Sequence, residues 1–112
     1  MRTVLKSKEY EEFYNSLNSK VQEKIKYVLQ LVSELTVVNT KFIKKLENTE
    51  FYELRVSTDN EYRIILFAMD DQNFQKATEV LLLNGFIKKS TKDYKRQIIT
   101  AREIINKLKE DI

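Results

Sequence analysis

Apolar residues recur along this chain with two different periods, and the change of period divides it. Behind Ser7 as N-cap, Tyr10, Phe13, Tyr14 and Leu17 fall on one helical face, with Glu9, Glu11 and Glu12 in the first turn where the helix dipole favours acids. After the break at Asn18-Ser19, Ser19 and Gln22 have capping-box spacing, and Val21, Ile25, Val28, Val32 and Leu35 form one continuous seam. Two helices joined so tightly predict an antiparallel hairpin. Ahead of them, residues 3–5 predict a short strand. Residues 36–50 are irregular, with a helical turn expected around Phe42, Ile43 and Leu46.

From residue 51 the period shortens to two. Tyr52, Leu54 and Val56 alternate with Phe51, Glu53, Arg55 and Ser57; residues 61–69 are apolar on both faces, as in a central strand. A third run covers 77–87, with Leu81 and Leu83 on one face and Val80, Leu82 and Phe86 on the other. Thr58-Asp59-Asn60 reads as a three-residue hairpin loop with Asn60 left-handed, and Asp70-Asp71-Gln72-Asn73 as a turn. Ser90 and Asp93 then open a last helix whose seam is Tyr94, Ile98, Ala101, Ile105 and Leu108. The predicted class is α+β: an N-terminal helical hairpin and a C-terminal helix packed on a small, mainly antiparallel sheet of three to four strands, in a single domain spanning 1–112.

Composition narrows the chemistry. The absence of histidine and cysteine removes the usual general base, the thiolate nucleophile and the common ligands of zinc or iron, so neither a metal nor a cofactor is expected. With Gly85 as the one glycine, phosphate-cradling glycine loops are excluded. No apolar run suits a membrane, and the polar start of the chain leaves no signal-peptide core, so a cytoplasmic location and no membrane partner are expected.

The net charge of +3 conceals an uneven distribution. Residues 88–102 carry Lys88, Lys89, Lys92, Lys95, Arg96 and Arg102 against Asp93 alone, a footprint that suits a polyanion or an acidic protein. Lys41, Lys44 and Lys45 add a second basic stretch. With a three-residue hairpin loop, Ser57 opposes Glu61 and Arg55 opposes Arg63 on one face. That like-charge pairing costs up to roughly 1 kcal/mol unless an anion is shared or Glu53 neutralises one partner. The meander then brings Lys88 and Lys89 alongside, beneath a helix N-terminus that also favours anions. Tyr94, on the first turn of that helix, is placed to stack on a base or to move a proton. Such a cluster fits a phosphodiester, and cleavage at a 2′-hydroxyl would draw its base from a lysine, a tyrosine or Glu53.

The ordered set Tyr52-Glu53-Leu54-Arg55, Tyr62-Arg63-Ile64, Leu81-Leu82-Leu83-Asn84-Gly85-Phe86-Ile87-Lys88-Lys89 and Ala101-Arg102 resembles the RelE/ParE superfamily of type II toxins, and most nearly its HigB-like branch. The resemblance implies an endoribonuclease that cleaves mRNA on the ribosome and is silenced by a cognate antitoxin, expected to be a helix-turn-helix DNA-binding protein. It also implies catalytic roles for Arg55, Arg63, Lys88, Lys89 and Tyr94, while the basic stretches themselves offer Lys92, Lys95, Arg96, Lys41, Lys44 and Lys45 for contact with RNA. The alternatives within the superfamily are a ParE-like inhibitor of DNA gyrase and a degenerate module that only binds its antitoxin.

Overall fold

The computed structural model describes residues 1–110, so the last two residues of the expected domain lie outside it. The chain runs β1 (Thr3–Lys6), α1 (Lys8–Asn15), α2 (Ser19–Glu34), β2 (Ile43–Lys45), β3 (Phe51–Ser57), β4 (Glu61–Ala68), a 3-10 turn at Phe74–Lys76, β5 (Glu79–Ile87) and α3 (Lys92–Glu110). The sheet order is β1-β5-β4-β3-β2; β1 runs parallel to β5 and the other pairs are antiparallel. The sheet therefore has five strands rather than three to four. The extra strand is β2, which pairs Lys44 with Glu53 where a helical turn was expected. No helix among the described residues is long and apolar enough to cross a membrane.

Each face of the sheet is covered. Tyr10 of α1 and the α2 seam Val21, Ile25, Val28 and Val32 pack with Leu54, Val56, Tyr62, Ile64, Leu66, Val80 and Leu82. Ala101, Ile104 and Ile105 of α3 cover Phe51, Ile65, Leu81, Leu83 and Phe86 on the opposite face. Ser7 caps α1 as expected, its hydroxyl accepting from the Tyr10 N–H. For α2 the cap is Asn18 rather than Ser19, accepting from the Val21 N–H, while the Gln22 side chain turns back to the Tyr14 carbonyl at 2.8 Å. The amide-bearing residue wins because it leaves Ser19 free to enter the helix.

Two local departures from the expected pattern lie in the sheet. The β3–β4 hairpin has the expected register, but Asn60 is not left-handed; among the described residues only Asn48 has positive φ, 61°. The loop is closed instead by Thr58 N–H donating to the Asn60 carbonyl at 3.0 Å and Thr58 Oγ1 bonding Asp59 at 2.6 Å. In β5, Leu82 pairs with Leu66 while Asn84 pairs with Ile65, so Leu83 is an inserted residue, a β-bulge. Leu83 and Asn84 consequently both face α3, and Phe86 joins them rather than Val80 and Leu82, contrary to simple alternation. Gly85 faces α1, where the Phe13 ring occupies the space a Cβ would need.

At the far corner Arg2 is buried with no carboxylate partner among the described residues. Its guanidinium lies over the Phe74 ring at 4.5 Å and donates to the carbonyls of Val32, Leu35, Thr36, Phe74 and Gln75. It thereby satisfies carbonyls at the C-terminal end of α2, where a positive charge also suits the dipole, and ties them to the 3-10 turn.

Candidate active site

The face of the sheet beneath the N-terminal end of α3 carries a cleft of about 370 Å³. It is lined by Lys44 and Lys45 of β2, Leu46 and Glu47 of the following loop, Glu53 and Arg55 of β3, Lys88 beyond β5, and Thr91 and Tyr94 of the α3 entry. Four cationic side chains face two carboxylates there, so the cleft is net positive. The register explains the convergence. Arg55 opposes Arg63, Arg63 opposes Phe86, and the bulge puts Phe86 on the α3 face, so that Lys88, two residues on, points the same way. The Lys88 N–H extends the ladder by donating to the Glu61 carbonyl at 2.8 Å.

The expected cations separate into groups. Arg55, Lys88, Lys44 and Lys45 line the cleft, and Tyr94 projects its hydroxyl toward its floor. Lys89, Lys92, Lys95, Arg96 and Lys41 are exposed and outside the lining. Arg63, expected to contact phosphate, is instead 2% exposed. It is held by β3 and β5 on either side and α3 above, and its donors are taken: Nε to the Tyr94 hydroxyl at 3.1 Å, Nη1 to the Tyr62 carbonyl at 3.0 Å, and Nη2 to Glu61 Oε1 at 3.1 Å. Burial works to lower its pKa, but the contacts with Tyr94, Glu61 and Glu53 prevail and hold it above the ordinary value. Arg63 is a fixed buried cation under the cleft, not part of its wall.

Glu53 resolves the like-charge pairing. Its Oε1 lies 3.4 Å from Arg55 Nε and 3.9 Å from Arg63 Nε, so one carboxylate bridges both arginines. The second oxygen, Oε2, is buried with no hydrogen-bond partner among the described residues. The sequence signal for this role is the i, i+2 spacing of Glu53 and Arg55 on one strand face.

Tyr94 is unsuited to stacking on a base. Phe86 packs edge-on against its ring at 5.5 Å between centroids, and Lys88 Nζ lies 5.6 Å from the ring centre. Burial, followed by the neighbouring Glu53 carboxylate, pushes the Tyr94 pKa up against the opposing effect of Arg63, so the phenol is neutral at physiological pH. At the helix entry, Asp93 Oδ2 accepts from the N–H groups of the preceding residues Lys89 at 2.8 Å and Ser90 at 3.0 Å, which sets a carboxylate beside the first turn. Those two bonds hold the Asp93 pKa below the usual carboxylate range. The capping box is thus present through its acidic member.

The sequence matches the family described as Phage derived protein Gp49-like over residues 12–106. Among solved structures, the isolated E. coli RelE toxin is similar with a TM-score of 0.62 at 16% identity, covering 88% of this chain and 96% of that one. A mutant of E. coli RelE in the free state gives 0.61 at 16% identity, covering 84% and 90%. The intact E. coli RelBE toxin–antitoxin complex also gives 0.61 at 16% identity, covering 80% of this chain and 100% of the matched chain. No curated protein matches the sequence. The fold is that of RelE, as the motif resemblance implies.

Proposed function

Because the chain belongs to the Gp49-like family of phage-derived proteins and has the RelE fold, we propose that it is the toxin of a type II toxin–antitoxin system, acting in the cytoplasm as a ribosome-dependent mRNA endonuclease. The observation that carries this reading is the cleft itself, lined by Arg55, Lys88, Lys44 and Lys45 together with a tyrosine whose hydroxyl is held by a buried arginine. A phosphodiester is the anion such a surface suits, because four cations line one cleft. Arg55 and Lys88 bind the non-bridging oxygens of the scissile phosphate, and Lys44 and Lys45 hold the flanking backbone. The exposed Lys41, Lys89, Lys92, Lys95 and Arg96 attract RNA at longer range.

Cleavage then proceeds by attack of the 2′-oxygen on phosphorus as the bond to the 5′-oxygen breaks, leaving a 2′,3′-cyclic phosphate. The Lys88 ammonium delivers the proton that the departing 5′-oxygen takes up. Arg63 acts as a positioning residue: it orients Tyr94 and holds Glu53 rather than touching substrate. A cognate antitoxin with a DNA-binding domain completes the system, a reading supported by the likeness to a chain of the RelBE complex.

The test is to map mRNA 5′ ends with and without expression of the protein. New ends confined to translated messages, reduced about 100-fold by Arg55→Ala, are expected. Growth arrest without new ends would overturn the nuclease reading in favour of a toxin acting on a protein target such as DNA gyrase.

A further inference from the structure

We propose that Glu53 is the final proton acceptor of the cleavage reaction and that the proton reaches it through the Tyr94 hydroxyl. This rests on the nuclease reading. Glu53 is 4% exposed. Neutralising the two arginines accounts for its Oε1, at 3.4 Å from Arg55 and 3.9 Å from Arg63. It does not account for Oε2, which is buried at the cleft without a hydrogen-bond partner among the described residues. A buried acceptor left open is costly, and a purely structural bridge between arginines would be expected to use both oxygens.

Tyr94 shares a partner with that carboxylate. Arg63 Nε–H donates to the Tyr94 oxygen at 3.1 Å and lies 3.9 Å from Glu53 Oε1, so both groups flank one nitrogen and both line the cleft. Since Arg63 already donates to the phenol oxygen, the phenol's own hydrogen is directed elsewhere. Burial, and after it the nearby carboxylate, raise the Tyr94 pKa. Tyr94 is half-buried whereas Glu53 is buried, so a ribose hydroxyl entering the cleft meets Tyr94 first.

The relay balances. As the 2′-oxygen bonds to phosphorus, its proton passes to the Tyr94 oxygen while the Tyr94 proton passes to Glu53, leaving a neutral tyrosine and a neutral carboxylic acid. The charged groups around Glu53 are Lys44 from β2, Arg55 from its own strand, Arg63 from β4 and Lys88 beyond β5, with the Glu47 carboxylate in the same cleft and Tyr94 from α3. A bound phosphate competes for Arg55 and Lys88. With substrate present the carboxylate therefore loses its hold on Arg55 and keeps Arg63 alone.

The experiment is single-turnover cleavage of a ribosome-bound message across pH, using wild type, Glu53→Gln, Tyr94→Phe and the double variant. Each single variant is expected to lose about 100-fold in rate, with Glu53→Gln also losing the acid limb of the pH profile. The double variant should be no slower than the slower single, because both remove one relay. Binding of a message with a 2′-deoxy residue at the scissile position should be retained in all three. Tyr94→Phe, which keeps the Glu53 charge and the ring packing, guards against a folding defect in Glu53→Gln. Cleavage by Glu53→Gln within about threefold of wild type with its acid limb intact, or multiplicative losses in the double variant, would overturn the relay and leave the nuclease reading standing. Absence of cleavage by wild type would remove both.

Discussion

Replacing Arg63 by methionine separates a positioning residue from a phosphate ligand. Methionine keeps much of the buried volume but removes the charge and three hydrogen bonds, to the Tyr94 hydroxyl, the Tyr62 carbonyl and Glu61. The Glu61 bond reaches a carboxylate that is about half exposed and contributes little. The loss falls instead on Glu53, 5% exposed at its side chain, which keeps only the part-exposed Arg55 as counter-ion, and on the Tyr62 carbonyl. Breaking a buried charge network from one side costs about 3–5 kcal/mol. We take the lower end, about 3 kcal/mol, because Arg55 remains. For a chain of this size that lowers Tm by about 12 °C. Urea unfolding with an unchanged m-value measures the difference. Arg55→Ala, which removes a side chain from the cleft wall, is expected to stay within about 1 kcal/mol of wild type while losing RNA cleavage. A loss below about 1 kcal/mol for Arg63→Met, or an Arg55→Ala variant equally destabilised, would refute the division of labour between the two arginines.

Features outside the cleft give three further expected outcomes. Gly85→Ala drives a methyl group into the Phe13 ring and should cost about 1–3 kcal/mol; combined with Phe13→Ala, it should unfold at a higher denaturant concentration than the two separate losses add up to. Arg2→Met strips donors from five carbonyls and should cost about 3 kcal/mol, read as a lower urea midpoint. The pKa values of Tyr10 and Tyr94 are raised, in both cases chiefly by burial, so the fold favours the neutral phenols. Their contribution is complete below about pH 10, the ordinary phenol value, and is lost as pH rises through the raised folded values. The urea midpoint should therefore fall as pH rises above about pH 10, and less steeply in Tyr10→Phe.

Much of the fold was legible because its signals are periodic. The α2 seam Val21, Ile25, Val28 and Val32 is buried throughout, and the alternation in 51–57 assigned each residue of β3 to its side of the sheet. The pairing of Arg55 with Arg63 followed from loop length alone, and it held although Asn60 does not adopt the expected conformation. Three things escaped periodic reasoning. Strand β2 is too short to show a period, and its pairing depends on β3. The bulge in β5 adds a residue that composition does not mark. Burial of Arg63 depends on α3, whose Tyr94 closes over a strand 31 residues away in sequence and accepts from its Nε. Arg63 and Lys88 thus read as equivalent cations in sequence, although one forms the floor of the site and the other its wall.

The inserted residue in β5 makes the side on which Lys88 emerges depend on a count rather than on an identity. Removing one residue between Leu82 and Gly85 would take out the bulge and restore strict alternation with Phe86 and Lys88 still on the α3 side, because the bulge sets two successive residues on one face. An in-frame deletion of one codon at that point would therefore leave the cleft its lysine, whereas straightening the strand at its full length would turn Phe86 and Lys88 to the helical-hairpin side. The same change in the Met69–Asn73 connection would only alter a loop.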